Sequence, residues 1–151
     1  MLNFIKKQGI AAYVAVGSAL VTFIAMILAV VSSGVRGYSV QGIAWVIVCS
    51  ILTVALVAVS IFLANKFGDK FFTHFGLFVS MILCCVCGFI VIQSRAELVG
   101  TLWITALDSV NPLAVSAMNS GAGSFFMYFI AMIGFVVSGC FGLTVNEKTN
   151  N

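Results

Sequence analysis

The chain has 151 residues, of which 62% are hydrophobic and 7% charged, and its formal net charge is +3. Soluble domains carry about 25% charged residues, so a water-soluble core is excluded and the composition is that of a membrane protein. The basic excess is scattered singly and in pairs and is not gathered into an aromatic-basic stripe, which argues against nucleic acid as a partner.

The first apolar run, 10–31, follows Lys6 and Lys7 and has 22 residues, a helix of about 33 Å against a hydrocarbon core of about 30 Å. It is longer than a signal-peptide h-region of about 7 to 15 residues, so it reads as a retained span. A second run covers 43–64, a third 72–92 and a fourth 125–143. The fold class expected is therefore an all-α integral membrane protein, a four-transmembrane-helix bundle forming one membrane domain over 1–151. The charged residues, Arg36 and Arg95 among them, fall outside all four runs. Pumps, proton-coupled carriers and voltage sensors need charge at membrane depth, so these classes lose support.

Basic residues fix the expected orientation. Lys6, Lys7, Lys66, Lys70 and Lys148 fall on one side and Arg36 and Arg95 on the other, which places both termini in the cytoplasm. Tyr38, Trp45, Phe125, Phe126 and Tyr128 are expected at the outer boundary, and Tyr13, Phe71, Phe72 and Phe75 at the inner one. The localisation implied is a plasma membrane. No Asn-x-Ser/Thr sequon occurs, which is compatible with a bacterial inner membrane.

Between the third and fourth spans lies a segment, 97–118, that is mostly apolar yet carries Asp108 and Asn111 near its middle. An aspartate at a helix centre costs about 2.5–3.5 kcal/mol on insertion scales, and Pro112 removes a backbone donor beside it. A fifth span is the alternative; the favoured reading is a non-spanning amphipathic helical hairpin in the long outer loop. Glu97, Thr101, Thr105 and Asp108 recur at helical spacing on one face, and Asn111-Pro112 fits the N-cap and first position of a second short helix. With Asn111, this polar stripe is the candidate contact for a solute or partner. It either shields the ends of the bundle at the interface or re-enters the membrane to line a cavity.

Small residues recur every four positions within the spans: Ala11, Ala15 and Ala19; Ser80, Cys84 and Gly88; Gly134, Ser138 and Gly142. Such stripes let helix backbones approach where lipid supplies no hydrophobic drive. They serve packing inside the bundle, docking to another subunit or copy, or both, with the Val, Ile and Leu of the second helix turned to lipid. Cys49, Cys84, Cys85, Cys87 and Cys140 all lie in apolar runs and read as packing residues. The lone His74 is nearly three turns from the cysteine cluster, so no metal ligand set forms, and no cofactor motif is present. His74 reads as an interfacial anchor. It falls on the opposite side from Glu97 and Asp108, so acid, base and nucleophile do not converge and the chain is expected not to be an enzyme.

The layout is shared with animal tetraspan families, but the longer outer loop has no cysteine and the shorter has neither tryptophan nor paired cysteines, so no family follows. Two functions fit: an accessory or scaffold subunit packing against a larger membrane complex, or a small oligomeric channel or facilitator for an uncharged or weakly polar solute. The partners expected are the lipid bilayer and other membrane subunits, or a second copy.

Overall fold

A computed structural model describes residues 9–68, 71–105, 112–141 and 143, the side chains of 71–73, 97 and 101–105 excepted. The described chain is all-helical: α1 spans Ile10–Gly34, α2 Ile43–Phe67, α3 Phe71–Thr105 and α4 Pro112–Cys140. Each contains a stretch long and apolar enough to cross a membrane, which in α3 is His74–Gly100. The helices alternate in direction and stand in a square. α1 packs on α2 and α4, α3 packs on the same two, and the diagonals scarcely meet. The Gly9 N–H donates to Leu143 O at 2.9 Å, so the start of α1 and the end of α4 share one end of the bundle, here the terminal end. The α1–α2 turn and the α3–α4 connection lie at the other, the loop end.

The α1–α4 seam follows a seven-residue repeat of alternating alanine and serine. α1 buries Ala11, Ser18, Ala25 and Ser32; α4 buries Ala117, Ser124, Ala131 and Ser138. Run antiparallel, each level sets a serine against an alanine. Ser138 Oγ donates to Ala11 O at 2.8 Å, Ser124 Oγ to Ala25 O at 2.8 Å and Ser32 Oγ to Ala117 O at 2.7 Å. Ser18 instead donates to Val14 O of its own helix, and its hydroxyl occupies the place a Cβ on Gly134 would take. A period of seven keeps one stripe facing one neighbour along a left-handed pair of helices. Residues this small bring the backbones close enough for a hydroxyl to reach the opposite carbonyl. At the α2–α3 contact the Ser60 hydroxyl occupies the place a Cβ on Gly76 would take.

Large apolar side chains face outward instead: Phe23 and Ile27 on α1, Phe62 on α2, Phe78 and Phe89 on α3, Phe126 and Ile133 on α4 are exposed. Such an inversion, with small residues inside and large ones outside, suits a lipid solvent. α2 is not simply a lipid-facing helix: it buries Ser50, Thr53, Val57 and Ser60 against its neighbours. Its contact with α1 is lighter and leaves an apolar groove of about 230 Å³ between Val16, Phe23, Val54 and Ile61. Gly68, at φ +77°, closes α2 by donating its N–H to Ala64 O, in a backbone conformation that favours glycine.

Two expectations require correction. The stretch 97–105 is no separate amphipathic element but the continuation of α3, and Pro112 opens α4, so Leu113 to Met118 form its first turns. Helix ends are set by backbone satisfaction, and nothing between Ile92 and Thr105 breaks the ladder; Ser94 even bonds back to Ile90 O. Hydropathy marks where polarity begins, not where a helix stops. The third and fourth helices accordingly outrun the expected 72–92 and 125–143 runs, the fourth by starting earlier. Tyr128 is the second correction: it is 1% exposed inside the bundle and not at its outer boundary.

Candidate functional site

The helices place two polar groupings inside this apolar structure, one halfway along it and one at the loop end. The first lies at the level of Thr22, twelve residues from either end of α1. Tyr128 on α4 reaches across the square to Ser50 on α2, their oxygens 2.7 Å apart, and Ser50 also donates to Val46 O at 2.7 Å. Cys87 Sγ is 3.8 Å from Ser50 Oγ. On the other diagonal Thr22 Oγ1 is 3.4 Å from Cys84 Sγ while donating to Ser18 O. The residues filling the axis at this level are thus small, polar and mutually bonded, with the tyrosine ring plugging the gap. A satisfied network of this kind specifies one helix register.

The second grouping is built on Arg95. The sequence places this arginine at the end of a loop; in the structure it lies within α3, 5% exposed. Its Nε donates to Ser32 Oγ at 3.0 Å and its Nη2 to Ser32 O at 2.8 Å, while the Ser32 hydroxyl donates to Ala117 O. One guanidinium thus ties α1 and α3 together, and Ser32 carries the tie to α4. Gly121 is what makes room: a Cβ there would stand 2.8 Å from Arg95 Cγ and 3.2 Å from its Nε. Ser32 is the third residue from the C-terminal end of α1, so its carbonyl is one of those left without a helical N–H. α1 has no basic residue in its last turn; Arg95 supplies that charge from another helix, at the negative end of the α1 dipole.

Three heptads earlier on the same stripe of α3 stands His74, half-buried, with Nδ1 lacking a hydrogen bond; Asn65 Oδ1, near the same end, also lacks one. The His74 to Arg95 separation is about 32 Å along a helix.

Of the residues singled out from sequence, Ala11, Ala15, Ala19, Ser80, Cys84, Gly88 and Ser138 are buried among the four helices, Gly134 lies against Ser18, and Gly142 is outside the described residues. Glu97, Thr101 and Thr105 lie on α3 with side chains outside the description, and Asp108 and Asn111 lie outside the described residues altogether. Arg95 and Ser32 were missed because they are distant in sequence. The seven-residue step from Ala11 to Ser32 and from Ala117 to Ser138 is the signal that could have found the seam. All five cysteines are free thiols, and among the described residues no group of three or more His, Cys, Asp or Glu is placed to hold a metal.

The class this geometry defines is an antiparallel four-helix bundle with small residues inside and large apolar residues outside. Comparison with protein-family models, with curated proteins and with solved structures yields no match.

Proposed function

We propose that the protein is a non-catalytic, multi-pass membrane protein that serves as an accessory or scaffold subunit of a larger membrane assembly. It resides in a plasma membrane of bacterial inner-membrane type with both termini in the cytoplasm, so that the loop end is exterior. The basic residues support that orientation, and the His74 to Arg95 spacing of about 32 Å matches the hydrocarbon thickness of about 30 Å.

The observation that carries the subunit reading is the unequal reach of the helices. Ser94 and Arg95 are level with the first residues of α2 and the last turn of α1, since Ser94 Oγ bonds Gln41 O and Arg95 bonds Ser32. α3 continues ten residues past Arg95 to Thr105, about 15 Å beyond the level of Ser32. α4 begins at Pro112, before the level of Arg95 at Gly121. α3 therefore stands out beyond the end of α1 at Gly34, with Val99 exposed on it, while α4 passes that end by less than one turn, with Leu113 exposed at its start. The small-residue stripes are consumed internally, which leaves this projection as the contact surface for a partner. A solute facilitator would have to place its path between copies, because Tyr128 and its neighbours fill the axis.

Mild extraction at native abundance followed by native electrophoresis tests the reading. Stoichiometric hetero-complex is expected, and it should be lost in Val99→Lys and Leu113→Lys while the bundle stays folded. A lone monomer or a pure homo-oligomer would sink it.

A further inference from the structure

α2 and α3 run antiparallel, and towards the terminal end Ser60 meets Gly76 so closely that a Cβ on Gly76 would stand 3.4 Å from Ser60 Cβ. Eleven residues make about three turns of helix, so the stripe holding these two returns at Cys49, eleven residues earlier on α2, and at Cys87, eleven later on α3. The helices have not parted at that level. Cys87 Sγ is 3.7 Å from Val46 O and 3.8 Å from Ser50 Oγ, and the Cys49 thiol is within hydrogen-bonding reach of Cys87. A disulfide needs Cβ atoms about 3.5–4.5 Å apart on facing backbones, a spacing that a stripe this close supplies. Cys84, three residues from Cys87, is turned instead to α1, its sulfur 3.4 Å from Thr22 Oγ1. The two facing thiols differ in access: Cys87 is fully buried, whereas Cys49 keeps part of its surface open. Both lie in helices apolar enough to cross a membrane, so a reagent that meets Cys49 arrives through lipid, and access is one of the factors that decide which thiols react.

We infer that Cys49 and Cys87 are a redox-active pair, oxidised to a disulfide between α2 and α3 by a quinone-type acceptor dissolved in the bilayer. Each cysteine loses its S–H bond and one S–S bond forms; the two protons and two electrons pass to the quinone, which leaves as the quinol. Cys49 meets the acceptor and Cys87 closes the bridge. The change is one modification per chain, not turnover. The Arg95–Ser32 clamp ties α1 to α3, and the bridge ties α2 to that same helix.

The full chain, purified in dodecyl maltoside with its thiols reduced, is incubated with a decyl quinone whose ring is fully substituted, so that no open carbon invites thiol addition, and separately with oxidised glutathione, which stays in water. Intact mass, quinone absorbance and peptide maps after alkylation of the remaining thiols are read together. With the quinone, the chain should lose two hydrogens, reduce one quinone and yield a linked pair of peptides carrying Cys49 and Cys87, with Cys84 still a thiol. The thermal midpoint should rise and fall back on reduction. Oxidised glutathione should leave the chain reduced. Cys49→Ser and Cys87→Ser should each abolish quinone reduction, and Cys84→Ser should leave it unchanged, all three with wild-type helical content. A wild-type chain that keeps all its thiols in the quinone, a link between Cys84 and Cys87 or between two chains in place of this one, or equal oxidation by glutathione would overturn the inference. So would quinone reduction that survives in Cys49→Ser, the variant at the partly open and more tolerant position.

Discussion

Replacing Gly121 with alanine tests the clamp at its narrowest point. The added Cβ would stand 2.8 Å from Arg95 Cγ and 3.2 Å from both Arg95 Nε and Ser32 Oγ, whereas carbon atoms meet comfortably at about 3.5–4.0 Å. The arginine is held from its far end by Ser32 and cannot retreat by 0.7 Å or so without lengthening those bonds. Overpacking of this kind costs about 1–3 kcal/mol, against which alanine gains at most about 1 kcal/mol over glycine in helix propensity. With the full propensity gain, the expected net loss is about 0–2 kcal/mol. Gly139→Ala provides the control, because nothing lies within 4 Å of its added Cβ; it should be neutral or stabilising. Reversible unfolding in mixed micelles of the two variants and of Gly121→Ala in an Arg95→Ala background measures all three quantities. The clash should vanish once Arg95 is truncated, giving a coupling of at least about 1 kcal/mol. Gly121→Ala as stable as Gly139→Ala, or additivity in the double variant, would refute the reasoning.

The same unfolding assay should find Gly134→Ala destabilised and restored by Ser18→Ala, since the Ser18 hydroxyl is what the new methyl meets. Ser124→Ala removes an interhelical bond to Ala25 O and should cost about 0.6 kcal/mol, the average for such bonds in membranes, whereas Ser120→Ala, whose hydroxyl serves only its own helix at Ser116 O, should cost nothing measurable. Tyr128→Phe leaves the packing in place but takes away the bond to Ser50; a loss of about 1 kcal/mol is expected, and an unchanged midpoint would deny the mid-bundle network any energetic role. Alkylation by a maleimide, followed by peptide mass spectrometry, should modify exposed Cys140 at the terminal end of α4 in the folded protein and reach buried Cys84 and Cys87 only after unfolding.

What the sequence discloses, and what it hides, divides along the range of the interactions. α1 and α2 were legible nearly to the residue: 10–31 became Ile10–Gly34 and 43–64 became Ile43–Phe67, because apolar run and helix coincide there. α3 was not, because its apolar run ends before Arg95 while the backbone ladder does not. What allows the helix to carry a guanidinium into the bundle is the carbonyl end of α1, and no window of neighbouring residues contains it. The small-residue stripes show the same division in another form. Ala11, Ala15 and Ala19 at steps of four announce a packing face, but the partner and the register are written in the steps of seven from Ala11 to Ser32, which make sense only beside those from Ala117 to Ser138. Tyr128 looked interfacial because aromatic residues so often are; only the arrival of Ser50 from another helix accounts for its hydroxyl inside the bundle.

The α1–α4 seam also constrains the order of assembly. It joins the first of the four helices to the fourth, and the hydroxyls of Ser124 and Ser138, with the α1 carbonyls they serve, find each other only when α4 is in place. The α2–α3 hairpin, whose contacts are near in sequence, can form as soon as both helices are made, but the alanine and serine face of α1 stays uncovered until α4 follows. Ser32 waits longest to be fully engaged, since Arg95 emerges before Ala117. A chain stopped after Thr105 would therefore hold a half-closed clamp and an uncovered stripe of alanine and serine on α1.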